Sequence, residues 1–235
     1  SCNARVVGDA DHLAARPLDA AELCEVVRVA YNPGIATLVD EAHSAGEDTG
    51  LDWSDVGPVA AEAEWEGYRH DDAYSVTWSM TTAPRGNVQS SVLARLLAPH
   101  REVARKRVTL LYRPIDAAKA AAIVESDLRS AQFVATSTTR PSARAVLATR
   151  SAAATAQEEA SGAGLVNFGM LVTATVLDVD RVAEAKAAID NLAATARLRL
   201  RPVYGAQASA FAAALPLGLI LPKHLKVPAS MRDRL

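Results

Sequence analysis

The chain has little that would staple it, clamp a metal in it or carry it across a bilayer. Its 235 residues include two cysteines, Cys2 and Cys24, whose spacing makes neither a zinc site nor a disulfide framework. They read as free thiols, with a single bridge as the alternative, and free thiols fit a cytosolic setting. No run of about 20 apolar residues occurs; the longest, Phe211 to Leu221, is broken by Pro216 and Gly218. The opening Ser1-Cys2-Asn3-Ala4 has neither the basic start nor the apolar stretch of a signal peptide. Any membrane anchor of a parent protein is expected outside this segment. Charge of one sign is also lacking: 25 Lys and Arg against 27 Asp and Glu leave a net −2. That balance gives no overall electrostatic pull toward nucleic acid or an anionic membrane, so the expected partners are proteins.

Reactive constellations are missing as well. There is no Gly-x-x-x-x-Gly-Lys-Ser/Thr loop, so a phosphate-cradling NTPase site has no lysine in place. The glycines from Gly162 to Gly169 fail the dinucleotide fingerprint, because Asn167 stands at the third glycine position and the order is helix then strand; they read as a helix stop and a turn. The five histidines make no His-Glu-x-x-His and find no paired cysteines. No Gly-x-Ser-x-Gly elbow is present. His70-Asp71-Asp72 is the local grouping that could bind a hard cation or do acid–base work, with a polar turn as its plainer reading; Asp9-Ala10-Asp11-His12 is a weaker version. The expectation is no enzyme, no cofactor and no metal.

What is there is a folding pattern. Half the residues are hydrophobic and 22% charged, an ordinary globular balance. Residues 1–55 read as an N-terminal helical appendage with one short strand and two helices. The first carries Leu18, Leu23, Val26, Val27 and Ala30 on one face behind an Asp19 cap; the second runs Ala36 to Ala45 and ends at Gly46. Residues 56–235 read as one α+β domain. Tyr74, Val76, Trp78 and Met80 alternate with Ser75, Thr77, Ser79 and Thr81, which predicts a strand buried on one face only. Pro84-Arg85-Gly86 turns the chain into a helix with Val88, Val92, Leu93, Leu96 and Leu97, and Arg105 to Tyr112 follows as a strand. Two helices, Asp116 to Phe133 and Ser142 to Ala160, form a long helical linker at about 115–162. A second strand–helix–strand unit spans Leu165–Leu177, Arg181–Thr195 and Arg197–Val203. Two such units predict a ferredoxin-like split β-α-β sandwich, an antiparallel four-stranded sheet with helices, with a mixed α/β sheet as the alternative.

All three tryptophans and two tyrosines fall between Trp53 and Trp78, as core seam or as partner anchor. Arg105-Lys106-Arg107 and Arg197, Arg199 and Arg201 would form a basic face if their strands were neighbours, or else guard a sheet edge. The candidate partner contacts are Trp53, Trp65, Tyr68, Arg105, Arg107, Arg199 and Arg201.

Certain stretches also carry a likeness to known proteins: Arg16-Pro17-Leu18-Asp19, Gly50-Leu51-Asp52-Trp53-Ser54, Tyr74-Ser75-Val76-Thr77-Trp78, Leu97-Ala98-Pro99-His100, Arg105 through Tyr112, and Ala214-Leu215-Pro216-Leu217-Gly218. Through them the chain from Leu18 to Leu235 resembles a family of membrane proteins of high-GC Gram-positive bacteria associated with conjugation-like transfer modules. Glu158-Glu159, the strand at Phe168, the helix to Thr195, the strand to Arg201, Gln207 and the turn at 215–218 resemble, more distantly, the N-terminal domain of conjugal-transfer ATPases of type IV secretion systems. That resemblance implies a non-catalytic domain attached to an inner-membrane assembly, and without the ATPase motifs it carries no hydrolysis over. The expectation is a scaffold or assembly domain on the cytoplasmic face of the plasma membrane. It would bind protein subunits of a transfer apparatus, homo-oligomerise, and reach the membrane through segments outside this one. The alternatives are a single-stranded DNA handling module and an enzyme with a cryptic site at His70, Asp71 and Asp72.

Overall fold

A computed structural model describes residues 4–7, 14–82, 90–137 and 139–219. The predicted turn at Pro84-Arg85-Gly86, the Asp9 to His12 grouping and Cys2 lie outside the described residues. In chain order the elements are β1 (Ala4–Val7), β2 (Ala14–Pro17), α1 (Ala20–Tyr31), α2 (Ala36–Ala45), β3 (Ala61–Ala63), β4 (Tyr68–His70), β5 (Ala73–Thr82), α3 (Ala94–Leu97), β6 (Arg105–Pro114), α4 (Ala117–Thr136), α5 (Ala143–Ala160), β7 (Val166–Val176), α6 (Val182–Thr195), β8 (Arg199–Pro202) and α7 (Gln207–Ala213). The fold is α+β, helices with an antiparallel sheet. The chain divides into two compact units: Ser1–Thr109 with Met170–Leu235, and Leu110–Gly169.

Local chemistry sets the helix ends of the first unit. Asp19 caps α1, its carboxylate accepting from Glu22 N at 2.9 Å while Glu22 reaches back to Asp19 N at 3.0 Å. This reciprocal arrangement satisfies two otherwise orphaned amides. Gly46 closes α2 at φ 71°, a left-handed cap that suits glycine. Where one short N-terminal strand was expected, two strands, β1 and β2, pair antiparallel.

The main sheet runs β3-β4-β5-β7-β6, with β8 also on β5. One face of β5 and β7 places Tyr74, Val76, Trp78, Val172, Ala174 and Val176 against Ala185, Ile189 and Ala193 of α6. Trp78, 1% exposed, is the largest fully buried side chain. The expectation that the other face is solvated holds only at the end of β5, where Thr81 is exposed and Ser79 half-buried; Ser75, Thr77, Thr173 and Thr175 are buried too. Small hydroxyls can be covered because they satisfy each other, Ser75 Oγ with Thr175 Oγ1 at 2.7 Å and Thr77 Oγ1 with Thr173 Oγ1 at 3.0 Å. On the other edge of β5, β4 pairs as far as Ser75 and β8 begins at Trp78. Gln207 spans the gap, its Oε1 accepting from Thr77 N at 2.8 Å and its Nε2 donating to Thr77 O at 3.2 Å. An amide side chain here does the work of a missing strand residue. A second cluster joins Cys24, Val27 and Ala30 of α1 to Val56, Tyr68, Phe211 and Leu215; Cys24 is a free thiol.

The second unit is built differently. Asp116 caps α4 through Ala118 N, Ser142 caps α5 through Ala145 N, and Gly162, at φ 97°, follows the end of α5. The two helices meet on small side chains: Ala120, Val124 and Ala145 are buried, and Thr149 Oγ1 donates to Ala131 O at 3.2 Å. Half-buried Leu128, Ala131 and Ala135 on α4, and Thr149, Ala152 and Ala156 on α5, continue a 3–4 spacing. Ile115 N donates to Leu165 O at 2.9 Å, closing the base of the hairpin. Among the described residues no helix is long and apolar enough to cross a membrane.

Candidate interaction surface

The seven candidate contacts separate into three groups. Trp53 and Trp65 are exposed, as are Arg105, Arg199 and Arg201. Tyr68 is instead a core residue, because β4 turns it toward Phe211, at 5.4 Å between ring centroids. Arg107 turns inward from β6. The two arginine strands do not form one basic face: β5 and β7 lie between β8 and β6, a separation of about 14 Å at ordinary strand spacing. Regular strand in β8 also begins at Arg199, since Arg197 sits at φ 55° in the turn before it.

What the fold does assemble is a stack around Trp65. This tryptophan occupies the tip of the β3–β4 hairpin, whose tight turn is closed by Glu64 N donating to Gly67 O at 2.9 Å. A side chain at Gly67 would put its Cβ 2.1 Å from the Tyr74 hydroxyl, so it is the close approach of the Tyr74 ring that calls for glycine here. Trp65 is 69% exposed and lies nearly parallel to Tyr204, with ring centroids 6.4 Å apart and planes 19° apart. Arg201 Cζ is 6.0 Å from the Tyr204 ring centroid. The backbone locks the two segments together, Gly205 N donating to Trp65 O at 2.8 Å and Val203 N to Thr77 O at 3.0 Å. Gly205, at φ 71°, is bare where the indole rests: a Cβ there would stand 2.6 Å from the Trp65 ring. Around the rings run polar pairs, Lys186 Nζ with Glu66 Oε2 at 2.8 Å and Tyr74 Oη donating to Glu64 Oε2 at 2.7 Å. Burial, followed by that glutamate, pushes the Tyr74 hydroxyl up to about 12, so it stays a donor. Large rings and an arginine held in fixed posture inside a polar rim are the chemistry of a protein contact. Tyr204 lay outside the expected set, since only the return of the chain to Thr77 brings it beside Trp65.

His70, Asp71 and Asp72 do not converge. His70 is fully buried; its Nδ1–H donates to Tyr31 O, and its Nε2 lies 2.7 Å from Ser75 Oγ. In the neutral tautomer Ser75 donates to Nε2 and in turn accepts from Thr175. Burial holds the imidazole below its ordinary pKa, against the raising effects of the Tyr31 carbonyl and Asp71. Asp71 and Asp72 form the turn between β4 and β5. Asp71, at φ 46°, accepts from Val59 N at 2.7 Å, Ala60 N at 3.1 Å and Arg28 Nη1 at 2.9 Å. Asp72 is exposed. Among the described residues no three of His, Cys, Asp and Glu could hold a metal ion.

Arg107 lies 4.8 Å over the Phe211 ring. The residue as a whole is half-buried, yet its Nε and Nη2 are closed from solvent and meet no hydrogen-bond partner among the described residues. Burial pulls the guanidinium down to about 10, with Tyr31 opposing. Burying a cation with two of its nitrogens unpartnered is costly, and the ring face offsets part of that cost. No protein-family model matches the chain, and no curated protein matches it.

Proposed function

We propose that the chain is a non-enzymatic assembly domain of a membrane-bound conjugation or type IV secretion-like apparatus, working on the cytoplasmic face and docking protein subunits through Trp65. The observation that carries the docking is the exposed Trp65–Tyr204–Arg201 stack, fixed by backbone hydrogen bonds and rimmed by an ion pair and a tyrosine–glutamate hydrogen bond. The choice of apparatus rests on the resemblance of the stretches quoted above. The ferredoxin-like reading belongs to the same proposal. Taking β5, β6, β7 and β8 as strands one to four, their spatial order is four-one-three-two, the arrangement of two interleaved β-α-β units. On this reading β1 to β4 with α1 and α2 are additions before the repeat, and α4 with α5 is an insertion inside it.

Capture of the full-length parent from membranes of its own host tests the proposal. Transfer-apparatus subunits should copurify with it and be lost from Trp65→Ala, whose stability should change by less than about 1 kcal/mol because the ring is mostly solvated. An unchanged set of partners would remove the docking role. A set without transfer proteins would remove the apparatus. A second reading draws on the same stack: rings beside Arg201, on the strand that also carries exposed Arg199, could hold single-stranded DNA by stacking and charge. It requires binding at low salt that weakens steeply as salt rises.

A further inference from the structure

The α4–α5 hairpin buries small residues and leaves its large apolar ones outside. Towards its tip Phe133 is 74% and Leu147 64% exposed, with Val134 exposed beside them. These are not seam residues pushed out by crowding, for the seam is already filled by alanine, threonine, Val124 and Leu128. The same end carries charge of one sign. From Asp127 to Glu158 the sequence holds no intervening Asp or Glu, while Arg140, Arg144 and Arg150 are all exposed. Arg144 sits in the first turn of α5, which has no acidic residue, although a helix N-terminus favours acids and disfavours cations. The overall charge balance of the chain hides this local excess.

We propose that the tip of this hairpin docks on an anionic lipid surface, Phe133, Val134 and Leu147 entering the boundary between headgroups and acyl chains and the three arginines meeting lipid phosphates. Cations flanking large apolar side chains are the composition of interfacial helices. The other occupants fit less well. A second copy of the tip would set arginine against arginine. Nucleic acid would find a single ring, Phe133, and aliphatic groups that cannot stack on bases. The proposal stands on the hairpin alone and is independent of the docking at Trp65.

Flotation of the full chain with vesicles of phosphatidylcholine containing about one-third phosphatidylglycerol tests it. Binding should be at least about tenfold stronger than to pure phosphatidylcholine and should fall as salt rises. Joint replacement of Arg140, Arg144 and Arg150 by Gln should cost about tenfold or more, and Phe133→Ser with Leu147→Ser a similar factor at constant charge. Circular dichroism confirms that these surface variants fold. Trp65→Ala should float like the parent chain. In Phe133→Trp, the added emission should shift to the blue when anionic vesicles are present. Absence of flotation at low salt would overturn the proposal. So would flotation that survives both sets of replacements, or tip variants that lose a captured acidic protein while binding vesicles unchanged.

Discussion

The two units put their large apolar side chains in opposite places. In the first, Trp78, Ile189 and Phe211 are fully enclosed and hydroxyl groups fill what remains. In the second, alanine and threonine make the helix contact while Phe133, Val134 and Leu147 face outward, and Tyr112 and Phe168 pair at 5.4 Å while still exposed. More than half of the large exposed hydrophobics among the described residues fall between Leu110 and Gly169. Burial of apolar area is the main stabilising term. Stability should therefore concentrate in the first unit, and the second should be the part whose surface is completed by something else.

The sharpest way to break this contrast is a pair of truncations. Trp78→Ala should destabilise the protein by about 3–5 kcal/mol, since it empties the largest enclosed position. Val124→Ala on α4 should cost no more than about 2 kcal/mol, having few large neighbours to strand. Urea unfolding measures both, and equal costs would abolish the distinction. Hydrogen exchange supplies a second view, with α4 and α5 amides exchanging sooner than those of β5 and β7.

The next effect belongs to the polar interior of the first unit. Above about pH 6.5 the imidazole of His70 is neutral in both folded and unfolded chains and contributes no pH dependence. Below that value the unfolded chain takes up the proton, while the buried, depressed group in the folded chain does not. Stability should fall through that window until the folded pKa is reached, by at most about 1.4 kcal/mol per pH unit. Comparing urea midpoints at about pH 7.5 and about pH 5.5 should reveal this loss, and His70→Asn should flatten it. The smallest expected change comes from Arg107→Met. Replacing a guanidinium whose Nε and Nη2 are buried without partners with an apolar chain of similar length should be neutral or stabilising by about 1 kcal/mol. A loss of more than about 2 kcal/mol would mean that the contact with Phe211 outweighs the cost of burying the charge.

Much of the fold was legible where a residue's neighbours in sequence are also its neighbours in space. The alternation of Tyr74 to Met80, the 3–4 stripe from Val182 to Ala196, and the caps at Asp19, Gly46 and Asp116 are all local, and β5, α6, α1, α2 and α4 follow them. The strands β3 and β4 are three residues each, too short for periodicity to register. The far face of β5 was misread at Ser75 and Thr77 because serine and threonine in alternation look solvated, whereas the matching threonines of β7, with His70 and Gln207, satisfy their polar groups in the interior. For the candidate surface, composition marked Trp65 and Arg201 but not their connection through Tyr204. It grouped Arg105 and Arg107 with Arg199 and Arg201, although strand order separates the two pairs. Tyr68 and Arg107 drew notice for their residue types, and both turned out to flank Phe211.

The seat of Trp65 on Gly205 gives that glycine a leverage unlike its size. One added methyl would meet the indole at 2.6 Å, on a backbone at φ 71° that already resists it. Gly205→Ala would thus keep the tryptophan, the tyrosine and the arginine in the chain yet tip the indole off its perch. The proposed docking at this spot would depend on how the ring is held as much as on its presence, and a smooth patch of main chain is what holds it.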